Sequence, residues 1–519
     1  MTGDRTPLEP TPRDLQRWQK AQQDLLQGRA EQALTAYHDL SKKYPDNSNL
    51  WFELGLAAAK DLDFDLADRA FQRTAELSPG NVSMRLLLGQ QYHLLRRMDQ
   101  ARASFEQAAT MDPASVPAQL SLADWYERER RLDDAWNCLE ACSRRHPQNV
   151  QVHCFQALLL HRQGKSAEAE KLLRELIRDE PPELNLRYAV RHQLAVILND
   201  LGQPAEAMRW LLDAKVLLRS TANITRMEQI YDQADRRRRT LLATLTPETI
   251  RRWRTETTRT PIPNALAFLG GHPRSGTTLL EQILGAHPEV TAFDEPMAFT
   301  QEVLEPLAPL EGAPTLTLKI LDQLNEVRRS HFQKRYFQNL RRENAVGSST
   351  GLLLDKNPSH TASIHLWLRI FPAVKIIIAL RDPRDVIVSC FFQNLQLNTT
   401  NANFLSLERT AKHYADLMDV WLRMRELGEF DWIESRYEDV VTGMESEGQR
   451  VTHFLGLTWH PQQAAYHEAA RKKFVFAPTY NEVTRPVHQR AVNRWRQYSP
   501  ALAPLQSRLA PYCEAFGYE

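Results

Sequence analysis

Phe268-Leu-Gly-Gly-His-Pro-Arg274-Ser-Gly-Thr-Thr278 has the spacing of a phosphate-binding loop but lacks that loop's lysine. In the ATP and GTP form, Gly-x-x-x-x-Gly-Lys-Ser/Thr, backbone amides cradle the phosphates and the lysine reaches the terminal one. Here Gly271 and Gly276 stand at the right separation, Thr277 occupies the lysine position, and Arg274 supplies a cation earlier. The anion cradle is kept, and the charge pattern of nucleotide hydrolysis is not. The loop points away from ATP and towards another phosphorylated donor.

Its flanks predict an α/β domain. Thr260-Pro-Ile-Pro263 is a stiff break, after which Ala265 to Leu269 reads as a short buried strand delivering the loop. A helix begins behind the threonines at Leu279, and a helix N-terminus favours anions. Val374 to Leu380 is a second buried strand, followed at once by Arg381-Asp-Pro-Arg-Asp-Val-Ile-Val-Ser389. This order predicts a parallel sheet with ligands at its C-terminal edge. Arg381 and Ser389 can converge on one phosphate; pairing of Arg381 with Asp382 or Asp385 is the alternative. With a lysine-free loop, the first reading suits a donor phosphorylated at two separated places, such as 3′-phosphoadenosine 5′-phosphosulfate.

Upstream, proline recurs every 34 residues, at Pro45, Pro79, Pro113, Pro147 and Pro181. With each proline as repeat position 32, position 8 holds Ala21, Gly55, Gly89, Ala123 and Ala157. Position 20 holds Ala33, Ala67, Ala101, Ala135 and Ala169; position 24 holds Tyr37, Phe71, Phe105, Leu139 and Leu173. Small residues at two fixed points let antiparallel helices approach, the large residue fills the space beside them, and the proline stops the second helix. The pattern resembles the tetratricopeptide repeat. A sixth unit is slipped by four residues, with Ala195, Ala207, Leu211 and Ala214 in the equivalent places. Such stacks form a superhelix with a concave groove for a protein or peptide partner, a spacer role being the alternative. A polar helix from Met227 to about Arg254 follows, its Arg236 to Arg239 run expected to be a solvated capping face. The expected domains are a repeat array over 14–221, a helical linker over 222–260, and the α/β domain over 261–519.

The bulk properties agree with this division. A chain of 519 residues exceeds one ordinary core, and 65 basic against 64 acidic residues give no global field for nucleic acid. Five cysteines, outside metal or disulfide spacing, suit reduced thiols. The expectations are therefore a cytoplasmic enzyme with no signal segment, no membrane span and no metal.

Gly271 to Thr278, with Ala286-His-Pro-Glu-Val290 after it, resembles the 5′-phosphosulfate loop of sulfotransferases, and is most similar to that of tyrosylprotein sulfotransferases. Asp294-Glu295, Lys356-Asn-Pro358, Arg381 to Ser389, Tyr437-Glu438 and Pro486 to Trp495 are further matching landmarks. The resemblance implies a P-loop-like sulfotransferase domain using 3′-phosphoadenosine 5′-phosphosulfate. It implies that Arg274, Ser275, Gly276, Thr277 and Thr278 hold the 5′-phosphosulfate, and that Arg381 and Ser389 hold the 3′-phosphate. Tyr437 would line the nucleotide site, with Thr479 to His488 and Arg494 closing over it. Glu295 would be the catalytic base, and Lys356, with Arg274, would assist departure of the leaving phosphate. A basic residue expected four positions beyond Ser389 is replaced by Gln393, so either the 3′-phosphate is held less tightly or a neighbouring cation substitutes.

The implied chemistry is in-line sulfuryl transfer to an acceptor hydroxyl, a protein tyrosine or a small molecule. A free glutamate and a phenol differ by about six pKa units, roughly 8 kcal/mol, so Glu295 would take the proton only as the oxygen–sulfur bond forms. Open alternatives are N-capping by Glu295, pairing of Lys356 with Asp355, and His360 as the base. Met297 and Gln301 stand where the family has peptide-gripping arginines. Competing functions are a binding scaffold with an inactive nucleotide-binding domain and, less favoured, a nucleotide kinase.

Overall fold

The computed structural model describes residues 9–26, 29–220, 223–256, 265–308, 315–343, 351–394, 397–472 and 483–519. They fall into two compact units, one built on residues up to Phe155 and one taking in Gln156–Leu340 and the chain from 351 on.

The repeat pattern becomes paired helices. Ala30–Lys43, Phe64–Leu77, Met98–Met111, Leu132–Arg145 and Ser166–Arg178 each end just before one of the periodic prolines. Two residues past the first four prolines, Asn47, Asn81, Ser115 and Asn149 cap the next helix by accepting a backbone N–H. All five position-20 alanines are fully buried. A methyl group on Gly55 would lie 2.4 Å from the Phe71 ring, and one on Gly89 2.7 Å from Phe105. Ala123 and Ala157 occupy position 8 where position 24 is leucine, so the two positions share one fixed volume. The turn inside each unit is left-handed at Leu62, Arg96, Arg130 and Gly164, a period of 34. The next such turn, Gly202, comes four residues late, the same offset the sequence shows there.

That sixth pair, Leu184–Asp200 and Pro204–Arg219, belongs to the second unit, as do the following helices Ile224–Ala243 and Pro247–Thr255. Here the Arg236 to Arg239 expectation needs correction. Arg236 is exposed, but Arg239 bridges Asp235 to Asp416 and Asp419 on the helix Leu407–Leu427, and Arg238 also pairs with Asp235. Arg239 alone of the run joins one helix to another, through ion pairs that sequence spacing did not reveal.

Five parallel strands form the sheet: β1 Leu266–Gly271, β2 Val290–Asp294, β3 Leu352–Lys356, β4 Lys375–Leu380 and β5 Trp432–Arg436, in the order β2-β3-β1-β4-β5. Every residue of β1 is buried, as a central parallel strand covered on both faces should be. Phe268 stacks on Trp367 at 4.9 Å, and Trp367 on Phe299 at 3.9 Å, which anchors one face. From β1 the chain turns towards β2, and from β4 it turns the other way towards β5. The C-terminal ends of β1 and β4 therefore flank a topological switch point, where open α/β sheets bind ligands.

Candidate active site

β1 leaves the sheet through Gly271, at φ +133° and so close to β4 that a methyl group would lie 2.3 Å from the Ala379 carbonyl oxygen. The Thr361 hydroxyl accepts from the Gly271 N–H at 2.7 Å and donates to the Gly271 carbonyl at 2.8 Å, pinning this exit. The turn closes with Ser275 N–H on the His272 carbonyl at 3.1 Å. Arg274 (φ +74°) and Gly276 (φ +91°) are both left-handed, and a methyl group on Gly276 would lie 2.6 Å from the Tyr437 ring. The helix Thr277–Gly285 then begins without a side-chain cap, so its first amides are free to meet an anion. Beneath the loop, buried His272 bonds His413 at 2.8 Å, and burial lowers its pKa to about 4. The loop thus rests on neutral imidazoles.

Cations gather beside it. Arg274 Nε donates to Ser389 Oγ at 3.0 Å. Burial lowers the Arg274 pKa to about 10, with Arg381 and Arg494 adding repulsion. Arg381 donates to the carbonyls of Arg274 (3.1 Å) and Ala491 (2.6 Å) and lies 4.9 Å from the Tyr437 ring centroid. Its nearest carboxylate is Asp385 at 3.9 Å, and its buried Nε has no partner among the described residues. Asp382 instead pairs with Arg384, 2.7 Å away. Burial pushes Asp385 up to about pKa 6, so it stays largely ionised at neutral pH and faces Arg381 only across 3.9 Å. Arg274 thus sits beside two further guanidinium groups, an arrangement with the charge to receive an anion.

At the same sheet edge, β2 and β3 bring Asp294 and Lys356 into register. Lys356 is fully buried, and its ammonium pairs with Asp294 and, at 3.1 Å, with Glu295. Burial acts to lower its pKa, but Glu295, Asp294 and Glu281 together hold it above the ordinary lysine value. Glu295 has its side chain half exposed and a left-handed backbone (φ +52°) held by its N–H on the Lys356 carbonyl at 2.8 Å. Left-handed non-glycine residues cost about 1–3 kcal/mol and cluster at working sites. Arg274, Glu295 and Asn493, the residue before Arg494, all have this geometry.

A model described as the sulfotransferase family matches residues 267–461, and tetratricopeptide-repeat models match 19–61, 60–116 and 101–225. The chain joins a tetratricopeptide-repeat array to a sulfotransferase-family domain. Protein-tyrosine sulfotransferase 2 of Gallus gallus is 23% identical over 269 residues, 49% of this chain and 69% of that relative. Protein-tyrosine sulfotransferase 1 of Danio rerio is 24% identical over 265 residues, 47% of this chain and 71% of that relative. Among solved structures, the sulfotransferase domain from the Synechococcus PCC 7002 olefin synthase aligns at 22% identity and a TM-score of 0.34, covering 50% of this chain and 97% of that one.

Within the sulfotransferase-family domain, the structure gathers Arg274, Ser389, Arg381 and Tyr437 at one place, and Glu295 with Lys356 at another point of the same edge. Ser275, Thr277 and Thr278 are buried in the loop and first turn. Arg494 is tied in by repulsion from Arg274, and His488 is half-buried nearby in the chain. Thr479 lies outside the described residues. Two of the open alternatives meet the following geometry. Asp355 accepts from the Tyr336 hydroxyl at 2.8 Å, whereas Lys356 pairs with Asp294 and Glu295. The ring of His360 is buried and bonded to Thr300, with its pKa lowered to about 3. Sequence reasoning missed Asp294 as a lysine partner, the Thr361 clasp, and His413 beneath the loop. Their signals are long-range, and only the "Asp294-Glu295" dipeptide hinted at the first. Among the described residues no helix is long and apolar enough to cross a membrane, and no group of three or more His, Cys, Asp or Glu is placed to hold a metal ion.

Proposed function

We propose that the sulfotransferase-family domain, taken as 261–519, moves a sulfuryl group from 3′-phosphoadenosine 5′-phosphosulfate to an acceptor hydroxyl. One observation carries this reading. A lysine-free anion cradle, a buried arginine beside two others and a Glu–Lys pair share the C-terminal edge of one parallel sheet. The unpartnered buried Nε of Arg381 and the glycine-only approach to Tyr437 suit a nucleotide phosphorylated at two places.

In this reading, loop amides at Arg274–Thr278 and the Arg274 guanidinium hold the 5′ end, and Arg381 and Ser389 hold the 3′-phosphate. Tyr437, the Thr479 to His488 segment and Arg494 enclose the nucleotide. Glu295 accepts the acceptor's proton as the new oxygen–sulfur bond forms. Lys356 and Arg274 stabilise the negative charge gained by the leaving phosphate oxygen as the old sulfur–oxygen bond breaks. The lysine also orients Glu295 before reaction, which is where a preformed ion pair contributes.

The names of the relatives make a protein tyrosine one candidate acceptor, with a small hydroxylated molecule the other. Met297, exposed two residues past Glu295, gives no cationic grip on an acidic peptide. The array over 14–221, joined by 222–260, is proposed to recruit a protein that is acceptor or partner, in the cytoplasm. Incubation with labelled donor and host extract should label an acceptor with wild-type protein and not with Glu295→Gln. Full labelling by Glu295→Gln would remove Glu295 from the base role. No labelling by wild type, despite nucleotide binding, would leave a binding domain in place of an enzyme.

A further inference from the structure

Position 393 lacks the cation that the resemblance leads one to expect, and the structure shows which group stands there instead. Lys215, on the last repeat helix Pro204–Arg219, donates from Nζ to the Gln393 carbonyl at 3.0 Å. It is 3% exposed and 5.5 Å from the centroid of the Phe391 ring. Among the described residues no carboxylate pairs with it, and one of its three N–H donors is taken by the Gln393 carbonyl. The buried Cys390 feels Arg274, Arg381 and Lys215 together, which places all three cations around the end of the helix that carries Ser389. Burial without a counter-charge lowers the Lys215 pKa to about 8.

The neighbouring contacts repeat the arrangement. His192 bonds the Phe392 carbonyl at 3.1 Å and Tyr188 the Asn394 side chain at 3.2 Å. Asn199 Oδ1 accepts from both Arg494 (2.8 Å) and Tyr498 (2.5 Å). Hence residues 392–394, just past Ser389, and Arg494 are all positioned by side chains of the Leu184–Asp200 and Pro204–Arg219 helices. A buried, unpaired ammonium is costly unless an anion meets it.

We propose that Lys215 supplies the missing cation and completes, with Arg381 and Ser389, the 3′-phosphate subsite of the donor, so that the nucleotide site is shared between the last repeat and the sulfotransferase-family domain. The proposal rests on the donor assigned above, and it makes the last repeat part of the binding machinery.

The test is calorimetric titration of the full chain with adenosine 3′,5′-bisphosphate and, in parallel, adenosine 5′-monophosphate, which lacks the 3′-phosphate. Lys215→Met should weaken the bisphosphate roughly 10–100-fold, the loss of one charge-assisted hydrogen bond. It should leave the monophosphate unchanged, and the ligand-free protein should melt at the same or a higher temperature. Lys215→Arg, or Gln393→Lys added to Lys215→Met, should restore part of the lost affinity. If the methionine variant does not fold, Lys215→Gln is titrated in its place with the same expectations. Unchanged bisphosphate binding, or an equal loss for both nucleotides, overturns the proposal. Wild-type protein that binds neither nucleotide refutes the donor assignment itself, and the Lys215 proposal falls with it.

Discussion

Replacing Lys356 with methionine separates what its ammonium does for the fold from what it does for the reaction. The side chain is fully buried, its Asp294 partner is 15% exposed and its Glu295 partner 48% exposed. Removing the ammonium takes the counter-charge chiefly from Asp294, because Glu295 can hydrate. Breaking a buried pair on one side costs about 3–5 kcal/mol, and the exposure of Glu295 puts the expectation near the lower end. Denaturant unfolding followed by tryptophan fluorescence reads this well, since Trp367 stacks on Phe268 of β1 and on Phe299. The second variant, Asp294→Asn with Lys356→Met, removes the Asp294 carboxylate and should recover most of that loss. Sulfate transfer should stay depressed in both, by roughly 10²–10³-fold, the usual cost of deleting one preorganised charge at a transition state. Recovery of transfer in the double variant would show that Lys356 serves only to neutralise Asp294. Unchanged stability of the single variant would refute the pairing itself.

Further outcomes follow from packing and titration. Gly89→Ala should destabilise the array by about 1–3 kcal/mol through overpacking against Phe105, and Gly89→Ala with Phe105→Leu should recover it, because Ala123 already pairs with Leu139 in the next unit; calorimetric melting distinguishes the two. Gly276→Ala should weaken adenosine 3′,5′-bisphosphate binding, since its methyl group meets Tyr437 at a left-handed φ, and titration equal to wild type would refute that. Stability should fall as pH drops below about 6.5. Burial first of all depresses His192 (to about 3), His272 (about 4), His360 and His365 (each about 3) and His413 (well below normal), so only the unfolded chain takes up these protons. Asp385, raised to about 6 by burial, acts in the opposite sense below that pH. For these six groups the net is about four protons, or roughly 5 kcal/mol per pH unit, and burial of His93 and His153 acts in the same direction. Constant denaturant midpoints between pH 7 and 5 would contradict the buried neutral imidazoles.

Features carried by local pattern were legible in the sequence, and features made by long-range closure were not. The 34-residue period survives as helix ends, caps and left-handed turns because each depends on residues within a few positions. β1 and β4 declared themselves as continuous apolar runs. β2, β3 and β5 did not, because Val290–Asp294, Leu352–Lys356 and Trp432–Arg436 are five residues each and end in charged groups. Those same terminal charges, Asp294 and Lys356, are brought together by strand register. The loop could be read from its glycines, but the His272–His413 contact beneath it joins residues 141 apart, and Lys215–Gln393 beside Ser389 joins residues 178 apart, beyond any periodicity. The Arg236 to Arg239 run misled for the same reason, since two of the three acids that Arg239 meets, Asp416 and Asp419, lie on a distant helix.

The central claim is that this sheet edge receives an adenosine nucleotide phosphorylated at both the 3′ and 5′ positions. A crystal structure of the full chain with adenosine 3′,5′-bisphosphate tests it most directly. The expected density places the 5′-phosphate on the Arg274–Thr278 amides and the 3′-phosphate against Arg381 and Ser389, with Lys215 within hydrogen-bond reach. A 5′-phosphate away from that loop, or a 3′-phosphate turned to solvent, would contradict it.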